Sequence, residues 1–143
     1  MIPWSRERQR RFAHHVLLPD VGGRGQDRLT AATVAIDVDG RAGQVASLYL
    51  AAGGVGALAL RGRGRVVRAE FPFDEGDVGA PLVAAVARAA RARQPAVALV
   101  DDDALPSLAI VGDAPRLPLA EAFARGGEAA ARWLHARAIG EAP

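Results

Sequence analysis

Apolar positions along this chain form short runs whose period switches between two and about 3.6. Residues 33–38 (TVAIDV) are a β-branched run of strand length. Residues 44–52 (QVASLYLAA) have helix length and propensity, with Val45, Leu48 and Tyr49 on one face. Gly53 and Gly54 close that helix as a C-terminal cap. Residues 57–60 predict a second strand and residues 66–71 a third short extended piece. Residues 81–93 predict a helix with Leu82, Val83, Val86 and Ala90 inward and Arg88, Arg91 and Arg93 outward, stopped by Pro95. An apolar strand over 96–100 runs into Asp101, Asp102 and Asp103, and 107–111 predicts a further strand. A final helix spans 119–138, softened by Gly126 and Gly127. Upstream, the polar, arginine-rich residues 4–15 predict a short helix after Pro3, broken by Pro19 and the Gly22-Gly23 pair. A second short helix follows over 25–32. This alternation of strand and helix predicts an α/β fold with a mainly parallel sheet and helices on its faces. One domain is expected, with an N-terminal helical segment (1–32), a strand–helix core (33–112) and a C-terminal helix and tail (113–143).

Composition narrows the chemistry. Half of the 143 residues are hydrophobic and only 5% aromatic, so Ala, Val and Leu build the core. A chain this long buries roughly 70% of its unfolded surface and needs no staple. The absence of cysteine removes disulfides, thiolate metal sites and thioester chemistry together, and is compatible with the cytoplasm. All 18 basic residues are arginine and face 16 acids, which leaves a net charge of +2. Lysine and asparagine are missing while Ala, Arg, Gly and Val abound, the bias of a GC-rich genome. No apolar run reaches the length of a membrane span. The first twelve residues are basic without a following apolar stretch, so no signal peptide is expected.

The turn after the first predicted strand reads Asp37-Val38-Asp39-Gly40-Arg41-Ala42-Gly43. A phosphate loop at this place needs glycines for a tight turn, for backbone approach to phosphate and for close helix packing. The helix N-terminus would add N–H donors and partial positive charge. Gly40 and Gly43 are in place, but the first position is Val38. Asp37 and Asp39 put negative charge beside the phosphate path, costing about 1–4 kcal/mol at about 4 Å. Arg41 offsets part of it. The alternative is an ordinary turn that uses glycine for geometry.

Arg11, Phe12, His15, Leu17, Leu18, Pro19, Val21, Gly22, Gly25, Gln26 and Leu29, then a strand and a glycine turn, then Tyr49, Leu50, Ala51, Gly54, Val55 and Gly56, form one spaced pattern. Val78, Gly79 and Pro81 continue it before a helix. The pattern resembles the ThiF/MoeB/HesA superfamily, the ubiquitin-activating-enzyme-like adenylyltransferases. It covers residues 11–100, and the tail GGEAAARWLHARAIGEAP resembles the family's closing helix. The resemblance implies a shortened Rossmann-like three-layer fold. It also implies a chemistry: adenylation of the C-terminal glycine of a β-grasp carrier protein with ATP and magnesium.

Each implied part can be checked along the chain. The family's phosphate-contacting arginine falls on His14, and its glycine loop on Gly40, Arg41 and Gly43. Its ribose- and magnesium-holding acids fall on Arg61-Gly62-Arg63-Gly64, and its phosphate lysine on Leu82. Genomic bias explains lysine becoming arginine but not leucine. Each lost charged contact costs a factor of roughly a hundred or more in rate. The expectation is a degenerate, non-catalytic domain with no cofactor and no metal. The family forms dimers, some pairing a catalytic half with an inactive one. A homo- or heterodimer with a ThiF/MoeB-like protein is therefore expected, with a β-grasp carrier as a further partner.

Other constellations point elsewhere. His14, His15 and His135 read as surface side chains more readily than as metal ligands. Asp101, Asp102 and Asp103 read as a solvated loop, although a strand's carboxyl end is where α/β sheets bind ligands. The stretch RGRGRVVR sets guanidinium groups on flexible backbone, so Arg61 and Arg63, with Arg11, are candidate anion contacts. It lacks interleaved aromatics for base stacking, so a solvated turn is preferred to nucleic-acid binding. Two alternatives remain: an active adenylyltransferase completed by a partner, and an anion or nucleic-acid binder through the Arg-Gly stretch.

Overall fold

A computed structural model describes residues 4–142; Pro3, read as the start of the first helix, lies outside them. The element order is α1 (Arg6–Val16), α2 (Gly22–Thr30), β1 (Thr33–Asp37), α3 (Arg41–Ala52), β2 (Ala57–Arg61), α4 (Leu82–Arg93), β3 (Ala98–Leu99) and α5 (Leu119–Ile139). The three strands are parallel in the order β1-β2-β3, with Thr33 opposite Ala57 and Ala57 opposite Ala98. Each connection between neighbours is a helix, as parallel strands require.

Ser5 caps α1 by accepting the Arg8 N–H at 3.1 Å. The first helix ends at Val16, ahead of Pro19, and Gly22, at a positive φ of 56°, turns the chain where α2 begins, earlier than the start at residue 25 read from the sequence. Gln26 on α2 is fully buried and is held by His15 Nδ1 at 3.1 Å and the Gly53 carbonyl at 3.4 Å. The core beneath joins Val34 and Ile36 of β1, Leu58 of β2, Leu50 and Ala51 of α3, and Val86 and Ala90 of α4.

Helix α3 is not amphipathic as the sequence suggests. Residues 42–48 are all buried, while Tyr49, read as sharing one face with Val45 and Leu48, is 46% exposed. The cause is position: α3 lies over β1 and against both α4 and α5. Gly126 on α5 permits the closest approach, since a β-carbon there would overlap the Ala42 carbonyl oxygen.

Three extended readings are corrected. Residues 66–71 form no strand; Arg65 makes a single antiparallel bridge to Pro81, and Val66 donates to the Ala80 carbonyl at 2.9 Å. Residues 107–111 reduce to one parallel bridge between Ser107 and Ala35, with Leu108 donating to Ala35 at 2.8 Å. Pro106 before it and Gly112, at φ 72°, leave little straight backbone to propagate that ladder. The strand read over 96–100 shortens to Ala98–Leu99, which has β2 as its neighbour on one side and Pro95 close upstream. Among the described residues no helix is long and apolar enough to cross a membrane.

Candidate functional site

The crevice at the carboxyl ends of β1 and β2 is where this architecture places a ligand. Its floor is the turn between β1 and α3. Asp37 Oδ1 accepts the Asp39 N–H at 2.8 Å, which tightens the turn. Asp39 does not face the helix N-terminus. Its carboxylate instead accepts the Arg63 and Gly64 N–H groups at 2.9 and 2.8 Å, fastening the stretch after β2.

Gly40 is the N-cap of α3, in extended conformation, and offers no side chain to the first-turn amides. Those amides are nonetheless satisfied. Ala42 and Gly43 donate to the two carboxylate oxygens of Asp113 at 2.8 and 2.9 Å. Arg41 N–H donates to the Ala114 carbonyl at 3.1 Å and Gln44 N–H to Gly40 at 3.2 Å. Three of the four N–H groups that a helix N-terminus normally leaves open, those of Arg41, Ala42 and Gly43, therefore have partners within the chain, and Gln44 makes the first bond of the helix itself. The Asp113 carboxylate also accepts its neighbour's N–H, from Ala114, at 2.8 Å. A negative charge here gains about 0.3–1 kcal/mol from the helix dipole besides the hydrogen bonds.

The two glycines serve this arrangement. A β-carbon on Gly40 would overlap the Asp113 carboxylate, and one on Gly43 would overlap the Asp37 carbonyl oxygen. Gly43 keeps strand and helix close, and Gly40 makes room for an internal anion. Asp113 lies 70 residues from Gly43, so the sequence gives little sign of it. A weak signal was available: Gly112-Asp113 directly precedes the loop into the last helix.

The remaining candidate residues are dispersed. Arg41 donates to the Leu117 carbonyl at 2.8 Å and pairs with Glu70 at 3.0 Å. Arg61 is a strut under the loop after β3, donating to Ser107 Oγ at 3.0 Å, to the Leu105 carbonyl at 2.7 Å and to the Asp102 carbonyl. Arg63 is exposed, and its guanidinium has no partner among the described residues. Arg11 donates to the Arg93 carbonyl at the C-terminus of α4, at 2.6 Å. His14 is exposed on α1. α1 and α2 pack at the amino ends of the strands, so Arg11 and His14 are not brought to the α3 N-terminus. Leu82 is buried, its N–H donating to Gly64 at 2.9 Å. Among the described residues no group of three or more acidic or imidazole side chains could hold a metal ion.

One perturbed acid lies outside the turn. Asp77 is buried and held below the usual carboxylate range, first by the Arg88 guanidinium, which donates to it through Nε at 3.0 Å and through Nη2. A capping box joins Asp77 to Asp74, so the pair pins the 74–77 turn onto α4.

No family model matches the chain. Over 56 residues it is 43% identical to the probable adenylyltransferase/sulfurtransferase MoeZ of Mycobacterium tuberculosis, which covers 39% of this chain and 14% of that protein. Over the same length it is 46% identical to the adenylyltransferase and sulfurtransferase MOCS3 of Bos taurus, covering 39% of this chain and 12% of that one. Among solved structures, the Escherichia coli tRNA N6-threonylcarbamoyladenosine dehydratase TcdA, in complex with ATP, superposes with a TM-score of 0.59 and 23% identity, over 71% of this chain and 43% of that one. PaaA superposes with a TM-score of 0.61 and 26% identity, over 73% of this chain and 36% of that one. The fold is thus an α/β fold of the kind these structures share. In its fold and in the shared segment, the chain is similar to the ThiF/MoeB superfamily, over part of its length. It spans only a minor part of each of these relatives.

Proposed function

We propose that this chain is a degenerate, non-catalytic member of the superfamily that acts as a partner or scaffold beside a ThiF/MoeB-like protein. The observation that carries the reading is the seat of Asp113 on the α3 amides. A triphosphate held in this fold would use the amides of that first turn. Displacing Asp113 forfeits a cap worth about 0.5–2 kcal/mol. Keeping it beside a phosphate adds repulsion of about 4 kcal/mol at about 4 Å with surface-like screening.

The other donors fit a triphosphate no better. Arg41 is engaged with Leu117 and Glu70, and Leu82 stands where the family resemblance places a lysine. Arg61 and Arg63 stand where acids would hold magnesium, and Asp39 is turned onto backbone amides. Its expected setting is a cytoplasmic homo- or heterodimer, with a β-grasp carrier as a further ligand of the assembly.

ATP–pyrophosphate exchange tests the reading directly. The purified chain is expected to stay at background with β-grasp carriers present, and to co-purify with a full-length ThiF/MoeB-like protein when the two are co-expressed. Exchange above background by the chain alone would overturn the non-catalytic assignment. A strict monomer that retains no such protein would overturn the partner assignment.

A further inference from the structure

The turn between α4 and β3 carries a side chain that the fold does not use. Gln94 closes α4 with its backbone alone: its N–H donates to the Ala90 carbonyl at 2.9 Å, and its carbonyl accepts the Val97 N–H at 3.0 Å. The residue is only 8% exposed, yet its side-chain amide has no hydrogen-bond partner among the described residues. A buried amide left unpaired costs free energy that an apolar side chain of similar size would not. Arg8 on α1 shows the same defect. Its Nη2 donates to Asp27 at 2.9 Å and to Thr30 Oγ1 at 3.0 Å, while Nε and Nη1 are buried without a partner.

Both residues line one pocket of about 410 Å³. It lies at the amino ends of the strands, between α1 and the turn into β3, far from the α3 N-terminus. Its polar wall is one-sided. Ser5 Oγ accepts the Arg8 N–H at 3.1 Å and keeps its own proton to donate. Arg11 spends Nη1 on the Arg93 carbonyl, and its Nη2 is 3.8 Å from Glu7, beyond hydrogen-bond range. Glu7 is the one carboxylate in the wall among the described residues, and its side chain is 83% exposed. The wall therefore offers N–H and O–H donors with few acceptors to meet them. Pro95 and Ala96 make its other side apolar.

We propose that this pocket binds a small organic acid, its carboxylate on Arg11 and the Gln94 amide and its apolar end against Pro95 and Ala96. The free N–H groups of Arg8 are closed to solvent, so Arg8 contributes charge, and Arg11 and Gln94 make the contacts. Asp27 already balances Arg8, which leaves about one cation for the ligand and suits a monocarboxylate better than a phosphate dianion. The volume is within the range of small-molecule sites. The inference uses neither the α3 terminus nor the partner role, and stands if either of those readings fails.

Proton–nitrogen correlation spectra of the full labelled chain, titrated with hexanoate, read the site directly. Hexanamide and hexylamine, of similar size but neutral and cationic, are run beside it. The Gln94 side-chain amide and the Trp4 indole N–H should shift together, because the Trp4 ring stacks over the Arg8 guanidinium at 4.4 Å. The buried Trp133 indole on α5 should stay in place. Saturation with a Kd of about 5 mM or below is expected for hexanoate, and binding at least about tenfold weaker for the other two. Gln94→Met removes the amide at nearly constant volume. It should weaken hexanoate about fivefold or more, yet melt within about 2 °C of wild type or above it, since no internal hydrogen bond is lost. Absence of a saturable shift, equal binding of hexanamide or hexylamine, or undiminished binding by Gln94→Met would each overturn the proposal. So would a Gln94→Met melt lowered by more than about 2 °C, which would show the amide to be paired within the protein.

Discussion

Replacing Asp113 by alanine isolates the interaction on which the site is built. The variant strips the acceptors from the Ala42 and Gly43 amides, bonded at 2.8 and 2.9 Å, at the start of a helix buried along most of its length. Loss of an N-terminal cap costs about 0.5–2 kcal/mol. Loss of the charge–dipole term, about 0.3–1 kcal/mol, overlaps with it, so a net cost of about 1–2 kcal/mol is expected. For a chain of this length that lowers Tm by about 3–8 °C in a thermal melt followed by circular dichroism. Asp113→Asn keeps one oxygen acceptor and loses the charge, so it should fall between the two. The freed amides should also make the alanine variant respond to inorganic phosphate. At about ten times its Kd, phosphate restores about 1.4 kcal/mol to the variant, while wild type, already capped, shifts little. An alanine variant that melts within about 1 °C of wild type, or an equal phosphate shift in both proteins, would refute the capping argument.

Three further outcomes follow from the same geometry. Gly40→Ala should destabilise wild type by about 1–3 kcal/mol through overlap with Asp113 and cost much less in the Asp113→Ala background; a double-mutant cycle in urea with coupling below about 0.5 kcal/mol would contradict this. Gly126→Ala gains about 1 kcal/mol of helix propensity but presses on the Ala42 carbonyl, which belongs to backbone and cannot retreat, so urea melts should show a net loss of about 1–2 kcal/mol. Asp77 has its acidity raised chiefly by Arg88, so its contribution is full above the unfolded value near about pH 4 and is lost as pH falls through the lower folded value. Asp77→Asn should therefore lower Tm by a few degrees at neutral pH and flatten the loss of stability on acidification; parallel Tm-against-pH curves for the two proteins would count against that ion pair.

Much of the fold was legible because its signals are local. The β-branched run that became β1, the glycine stop after α3 and the proline stop after α4 each act within a few residues. What local pattern could not give was pairing. Residues 66–71 and 107–111 have strand composition, but a strand needs a neighbour, and here each finds one isolated bridge. The single face read for Val45, Leu48 and Tyr49 does not separate buried from exposed positions for a related reason: α3 is enclosed by the sheet, α4 and α5, so nearly every residue on it is buried and periodicity is lost.

The site was legible in outline and hidden in its decisive contact. Gly40 and Gly43 marked the turn, and Val38 in place of the first glycine, with Asp37 and Asp39 beside it, marked it as a poor phosphate loop. Asp37 and Asp39 looked like charges aimed at the phosphate path, yet both turn away to bind backbone N–H groups. The anion that does occupy the helix N-terminus comes from a distant loop. Arg41 and Arg61 likewise looked available for anions, and both are spent on carbonyl oxygens of later segments. Long-range hydrogen bonds of this kind leave no periodicity to read.

Calorimetric titration of the purified chain with ATP and magnesium bears most directly on the closed helix terminus. With the first-turn amides of α3 held by Ala114, Asp113 and Gly40, no saturable heat is expected up to about millimolar nucleotide. A magnesium-dependent, one-to-one isotherm with a Kd of about 10 μM or below would contradict the account.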